Sequence, residues 1–455
     1  MLEFSIKIKL RDTRDDSLNF SLPIFNLQTC KLSNIDNPDT NYYFNQSERN
    51  QLAELKNKID QNDASKDWDK SKKISNIYEL IHISNNKMKA ESISRYDPLS
   101  RSFFKLWEIV NYFGLITTRN PIVTGHLAEG PGGFVEACLY YRQRLIKVAP
   151  LLDKYYGITL NPSTKEIPGW NKANNLLRQF KKNIEIDYGV DNTGDLYKIF
   201  NIRSFSRKIK AIVPGADLIT ADGGFDFSVN FNKQEQLSHR LIISELLTGI
   251  KSQKLNGSMI CKLFDSYSYL TVQLLYFISC LYEEVHLVKP LTSRPANSEK
   301  YLVAISYKGF SSNLEEQYYI GQLEILLDKW DIVTGNNELI YKSIFETPPR
   351  TFFERVQSYN EHSFKQQSIY IDKTIELIKN KPSWTELEII INNQTEKAIE
   401  WCEQYHLSIN LESYFYQKYK FTKEKEKDNE TKKDNKKYKA YLDGLDDYFR
   451  TFIGY

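Results

Sequence analysis

Residues 126–142 read HLAEGPGGFVEACLYYR, and this stretch decides the fold. The apolar run PIVTGHLAE leads into Gly130-Pro131-Gly132-Gly133, and a helical pattern starts near Phe134. Glycines at a strand-to-helix turn let the backbone come close to a ligand. The start of the following helix offers unpaired N–H groups to an anionic group. This is the first βα turn of a nucleotide-type fold, where ligands sit at the carboxyl ends of the strands. The spacing is not G-x-G-x-x-G, and no Lys-Ser/Thr pair follows, so a dinucleotide or ATP site is disfavoured. Read alone, the segment also suits a tight turn with no ligand.

Outward from the turn, residues 96–310 hold most of the strand-like apolar runs: KYYGITL, NIEIDYG, ADLITADG, GSMICKLF, EEVHLVKP and KYLVAISY. Helical patterns such as QLSHRLIISELLTGIKSQK lie between several of them. That alternation predicts βαβ units and a mainly parallel sheet with helices on both faces. The last two strands, around Val285–Val288 and Tyr301–Ser306, have a short non-helical connection, which predicts an antiparallel pair at the sheet edge.

The flanks differ. Residues 1–95 form an N-terminal extension that is polar and poor in glycine. MLEFSIKIKL alternates like a strand. A helix is expected after Ser47, with Ser47 as its cap and Leu52, Leu55 and Ile59 on one stripe. The charged stretch 62–73 is expected to be exposed. Residues 311–455 read as mostly helical, with a mixed-charge run from Lys423 to Lys437 that suits a solvated linker or exposed helix.

Composition excludes several classes. Hydrophobic residues make up 41% and charged residues 26% of the 455, which fits a globular chain rather than a disordered one. No apolar run is long enough for a membrane helix, and the N-terminus lacks a secretory core. Sixty-one basic against 58 acidic residues leave +3, so an anion-binding face must come from local clustering. Cys30, Cys138, Cys261, Cys280 and Cys402 are scattered with no C-x-x-C pair, which points away from a zinc module and toward buried thiols in a reducing compartment.

Several carboxylates follow apolar strands. Asp187, Asp191 and Asp195 lie near one strand end, and Gly194-Asp195 suits contact with an adenine amino group. Asp222, followed by Gly223 and Gly224, ends another strand, facing the same crevice as the glycine turn. Each Asp alone also suits a helix cap or a turn. Lys262 ends the run GSMICKLFD. A lysine there is costly unless paired or deprotonated, and crowding by a second cation in low dielectric would lower its pKa and make it a base. Glu299 precedes the last strand, and Lys105 lies on a helix upstream of the turn, where alone it suits a solvated position.

From Ser100 to Tyr301 the chain resembles the FtsJ-like (RrmJ-type) ribose 2′-O-methyltransferases, and within them the mRNA cap-1 branch of eukaryotes and large DNA viruses. SRSFFKLWEI, AEGPGGFVEA, TGDL, TADGGFDF, NKQEQL, GSMICKLFD and KPLTSRPANSEKYLV carry the resemblance, in the family's order. It implies an α/β, Rossmann-like methyltransferase core and a Lys-Asp-Lys-Glu tetrad at Lys105, Asp222, Lys262 and Glu299. It implies S-adenosylmethionine over Gly130, Pro131, Gly132, Gly133 and Phe134, with Asp195 at the adenine and Asp222 near the sulfonium. There are two departures. The acid that many methyltransferases place after the second strand is absent from YYGITLNP, leaving Thr159 or Asn161, and His126 stands where the first motif often has Asp.

In the implied mechanism Lys262 accepts or steers the proton of a ribose 2′-OH, while Lys105, Glu299 and Asp222 set its charge and position. No metal is called for, because a sulfonium is already a strong electrophile. The implied substrate is RNA, at the first transcribed nucleotide of capped mRNA. Transcription or capping machinery is the implied partner, with no membrane, in the cytoplasm (including a viral factory or virion) or the nucleus. The alternatives are an rRNA target, the second nucleotide of a capped transcript, or a non-catalytic RNA-binding or virion protein on the same core.

Overall fold

A computed structural model of the chain describes residues 6–427 except 15–17, 19, 63–66, 85–88, 150–151, 163–167, 212–213, 225–230 and 336–337. The strands in chain order are β1 (Ile6–Asp12), β2 (Phe25–Lys31), β3 (Val123–Leu127), β4 (Lys154–Ile158) and β5 (Ile184–Asp187). They continue with β6 (Ala216–Ala221), β7 (Gln253–Leu263), β8 (Tyr282–Lys289), β9 (Lys300–Tyr307) and β10 (Leu339–Phe345).

Eight of them form one sheet in the order β1-β8-β9-β7-β6-β3-β4-β5. The run from β7 to β5 is parallel, and β9, β8 and β1 are antiparallel to their neighbours. The expected β8–β9 antiparallel pair is present, but it does not form the edge: β9 lies between β7 and β8, and β1 from the N-terminal zone takes the outer place. The chain leaves β3 toward β4 and β5, then returns to β6 on the other side of β3. That reversal makes a topological switch point between β3 and β6, where open α/β sheets place their ligand crevice.

The helices before the first parallel strand are α1 (Gln46–Asn62), α2 (Trp68–Ser75) and α3 (Ser102–Phe113). Within the core follow α4 (Gly133–Tyr141), α5 (Asn174–Gln179), α6 (Ile199–Lys210), α7 (Gln234–Ser252) and α8 (Tyr269–Leu281). Beyond it come α9 (Asn313–Asp328), α10 (Trp330–Thr334), α11 (Arg350–Lys379), α12 (Trp384–Gln404) and α13 (Tyr414–Lys427).

Strand residues alternate between two cores, as the two-residue period of a pleated strand requires. Ile219, Cys261 and Leu302 face the core built with α6, α7 and α8. Leu218, Ile260 and Val303 face the one built with α3, α4 and α12. All five residues of β3 are buried, as befits a parallel strand covered on both faces.

Several local expectations change. α1 begins at Gln46, so Ser47 lies inside the helix rather than capping it. Much of the charged stretch 62–73 folds into α2, which buries Ser71 and packs on α11 through the Ser75–Thr374 hydroxyl pair at 2.9 Å. The C-terminal zone is mostly helical as expected, and its β10 pairs with β2 in a separate two-stranded sheet. Residues 428–455, with most of the Lys423–Lys437 run, lie outside the described residues.

Candidate active site

Strand register assembles the site. Leu127, Ala221, Cys261 and Leu302 lie side by side across β3, β6, β7 and β9. One residue further along the parallel strands come Ala128, Asp222 and Lys262, and Lys262 pairs with Tyr301 of antiparallel β9. Three side chains from three strands therefore meet just past the switch point. Lys262 Nζ lies 3.2 Å from Asp222 Oδ1 and donates to the Asp222 carbonyl at 2.7 Å. The Tyr301 hydroxyl, fully buried, donates to Asp222 Oδ1 at 2.9 Å.

The second pair arrives from outside the sheet. Lys105 on α3 contacts the Glu299 carboxylate at 2.7 Å. The side chains of Lys105, Asp222, Lys262 and Glu299 are 15%, 13%, 11% and 11% exposed, and Lys262 and Glu299 each act on the other's charge, which links the two pairs. Lys105 is thus not the solvated helix residue its local sequence suggests.

Electrostatics overturn one expectation. Burial works to lower the Lys262 pKa, but Asp222, Glu299 and Glu245 raise it further, and the net shift is upward from 10.5. The lysine is held as an ammonium because its near neighbours are carboxylates rather than a second cation. For Glu299, burial pushes the carboxyl up, and Lys105, Lys262 and Lys289 outweigh it and hold the group well below its usual range.

The loop between β8 and β9 delivers Glu299, and it is fixed from three sides. Ser293 Oγ donates to Glu299 Oε1 at 2.7 Å. Lys289 Nζ reaches Asn297 O, Asn297 Oδ1 and Glu299 O at 2.8, 2.7 and 2.8 Å, closing the loop on itself. Glu108, one turn beyond Lys105 on α3, accepts from the Leu291 amide at 2.7 Å, the Thr292 amide at 3.2 Å and the Trp401 indole of α12 at 3.3 Å. One helix face therefore grips both ends of the loop. From the N-terminal zone, buried Glu79 takes Arg294 at 2.8 and 3.2 Å.

The glycine turn follows β3 as expected. Gly132 sits at φ +104°, a conformation that disfavours a side chain, and a Cβ there would meet the Trp170 ring at 2.4 Å. A Cβ on Gly130 would strike the Pro168 carbonyl oxygen at 2.2 Å, and one on Gly133 the Ser100 and Ser102 hydroxyls at 2.3 Å. Internal packing alone thus demands all three glycines of Gly130-Pro131-Gly132-Gly133. Phe134 is buried against Tyr301, with ring centroids 6.2 Å apart.

Asp195 is half-buried. Its Oδ1 accepts from the Tyr197 amide at 2.8 Å, closing the turn that precedes α6. Asn161 donates from Nδ2 to the Asn192 carbonyl at 3.0 Å, knitting the ends of β4 and β5. Gly194 lies so close to Thr159 that a Cβ would fall 1.7 Å from its carbonyl oxygen. His126 is fully buried: Nε2 pairs with Thr124 Oγ1 at 2.8 Å and Nδ1 lies 3.0 Å from Glu129 Oε2. Burial pushes its pKa down to about 3, so it is a neutral core histidine.

Sequence reasoning missed Tyr301, Glu245, Glu129, Glu108, Lys289 and Glu79. Tyr301 was within reach, since it stands two residues after Glu299 and strand alternation turns it to the Glu299 side.

A switch-point crevice with a glycine turn on one side and a paired Lys and Asp on the other defines a Rossmann-like methyltransferase core. Residues 98–307 match the profile of the FtsJ-like methyltransferase family. Three curated relatives show the nearer likeness. The cap-specific mRNA (nucleoside-2′-O-)-methyltransferase 1 of Dictyostelium discoideum is 31% identical over 242 residues, covering 48% of this chain and 31% of its own. The same-named enzyme of Trypanosoma cruzi is 35% identical over 193 residues, covering 42% and 49%. The cap-specific mRNA (nucleoside-2′-O-)-methyltransferase 2 of Drosophila melanogaster is 29% identical over 212 residues, covering 45% and 29%. The match thus spans half or less of each relative's length. Among the described residues, no helix is long and apolar enough to cross a membrane.

Proposed function

We propose that this chain is an S-adenosylmethionine-dependent RNA methyltransferase acting on a ribose 2′-OH at the 5′ end of capped mRNA. The observation that carries the proposal is the set of Lys105–Glu299 and Asp222–Lys262 pairs, linked through the mutual influence of Lys262 and Glu299 and joined to the glycine turn by Phe134 against Tyr301. The names of the relatives support the capped substrate.

The donor set suits the cofactor. Gly133 and Phe134 begin α4, and first-turn amides have no partner within their helix, which favours the methionine carboxylate. Asp222 suits a sulfonium, and Asp195 suits the adenine amino group. S-adenosylmethionine, when bound, supplies an electrophilic methyl group, so the protein's task is to position the ribose and move one proton.

Lys262 does the second. As an ammonium held by Asp222 it is the wrong charge form for a base. Asp222 shared with a sulfonium would hold that ammonium less tightly, and Lys262 would release its proton to solvent at lower pH. The free amine at Nζ would then take the proton of the 2′-OH as the O–CH₃ bond forms and the sulfonium S–CH₃ bond breaks, its electron pair leaving on sulfur as a neutral thioether. Glu299, anchored by Lys105, keeps Nζ in place, and Tyr301 keeps Asp222 in place.

The test is methyl transfer from S-adenosylmethionine to short capped and uncapped transcripts, with nuclease mapping of the modified ribose. Methylation at the first transcribed nucleotide of the capped RNA alone is expected. Modification at the second nucleotide would move the site by one step, as the name of the Drosophila relative suggests. No transfer to either RNA would contradict the proposal.

A further inference from the structure

Behind the Asp222–Lys262 pair lies a carboxyl group that the mechanism above does not use. Glu245 projects from α7 and is 1% exposed. Its Oε1 accepts from the Gly223 amide at 3.2 Å, and its Oε2 lies 3.6 Å from the Cys261 thiol. The fit is close: a Cβ on Gly223 would come within 2.3 Å of Glu245 Oε1, 2.9 Å of Leu241 Cδ2 and 3.0 Å of Ala128 Cβ. A Cβ on the next residue, Gly224, would lie 3.3 Å from Lys262 Nζ. Glu245 therefore touches the residue after Asp222 on one strand and the residue before Lys262 on the next.

We propose that Glu245 is a positioning residue for the Asp222–Lys262 pair, fixing the turn that carries Asp222 and, once ionised, adding to the negative charge that Lys262 faces. The inference rests on the methyltransferase reading and deepens it. The ionisable groups around Glu245 are Cys261 and Lys262 on β7 and Asp222 after β6. Lys262 itself faces Asp222, Glu299 and Glu245. Glu129, two residues after β3, also feels the charges of Asp222 and Lys262.

Burial pushes the Glu245 carboxyl up to about 8, against the pull of Lys262. It is therefore neutral near pH 7 and becomes charged as pH rises through about 8. Each charge on Glu245 favours the ammonium form of Lys262, so ionised Glu245 delays the free amine to higher pH.

Two variants separate the roles. Glu245→Gln keeps the shape and removes the charge. Glu245→Asp keeps the charge and draws the carboxyl back from Gly223. The measurement is kcat against pH from about 6.5 to 9.5 for methyl transfer to capped RNA, with melting temperature and cofactor Kd for each protein. For Glu245→Gln we expect a melting temperature near wild type and a rising limb displaced to lower pH by about half a unit. For Glu245→Asp we expect the wild-type limb and a kcat lowered about tenfold. An active wild type whose limb and kcat are shared by both variants would overturn the role of Glu245. An inactive wild type would instead contradict the methyltransferase reading, so the two failures are distinct.

Discussion

Lys105 and Glu299 are 194 residues apart in the chain and meet at 2.7 Å, with both side chains largely withdrawn from solvent. Such a pair holds a loop as well as a charge. If the pair acts as one unit on Lys262, Lys105→Met and Glu299→Gln should each lower kcat/KM by a large factor, and the double variant should be little worse than either. A double-mutant cycle should return a coupling of about 1–3 kcal/mol. Additive effects in that cycle would mean that the two residues act separately.

Tyr301 is a support that the sequence reading did not name. Tyr301→Phe keeps the buried ring and removes one donor from Asp222 Oδ1. Stability should fall by about 1 kcal/mol, and kcat should fall about tenfold with the KM for RNA nearly unchanged. Steady-state kinetics and urea melts check both. A change confined to KM would place Tyr301 in substrate binding instead.

The anchoring of Arg294 by Glu79 gives a pH signature. Burial raises the Glu79 carboxyl, but Arg101 and Arg294 outweigh it and lower the group from 4.5 to about 2. A depressed carboxyl adds stability above its unfolded value, and that stability is lost as pH falls through the folded value. The shift corresponds to something on the order of 3 kcal/mol, present near pH 7 and lost between about pH 4.5 and 2. Glu79→Gln should remove that increment at pH 7 and flatten the acid limb. Urea melts across that range, with a slope equal in both proteins, would contradict the assignment.

The glycine turn makes a steric prediction that is independent of any ligand. Gly132→Ala places a methyl group 2.4 Å from the Trp170 ring at a φ of +104°. The expected cost is about 2–4 kcal/mol, from strain and overpacking together. A thermal melt within a degree of wild type would show that the turn relaxes freely.

The parts of this site that sequence reveals are those where chemistry breaks a pattern. Asp222 and Lys262 stand out because each ends an apolar strand, and Gly130–Gly133 stand out because they separate a strand from a helix. Lys105 and Glu299 carry no such local signal, and only the family resemblance joined them. Glu245, Glu108 and Glu79 each stand inside an apolar run (LIISELLTGI, FFKLWEIV and IYELI), and nothing in those runs names the partner that satisfies the carboxylate. Their burial comes from distant segments: α12 brings Trp401 to Glu108, and the β8–β9 loop brings Arg294 to Glu79. The charge state of Lys262 was misjudged for the same reason. Its neighbours are set by strand register, and the carboxylates proved nearer than the second cation.

The measurement that bears most directly on the catalytic assignment compares wild type with Lys262→Ala in methyl transfer to a short capped transcript. S-adenosylmethionine binding is followed separately by calorimetry. The account predicts near-normal cofactor binding in Lys262→Ala and a methylation rate reduced at least a hundredfold or so, the range general-base catalysis supplies. A variant that methylates the capped RNA at close to the wild-type rate would contradict it.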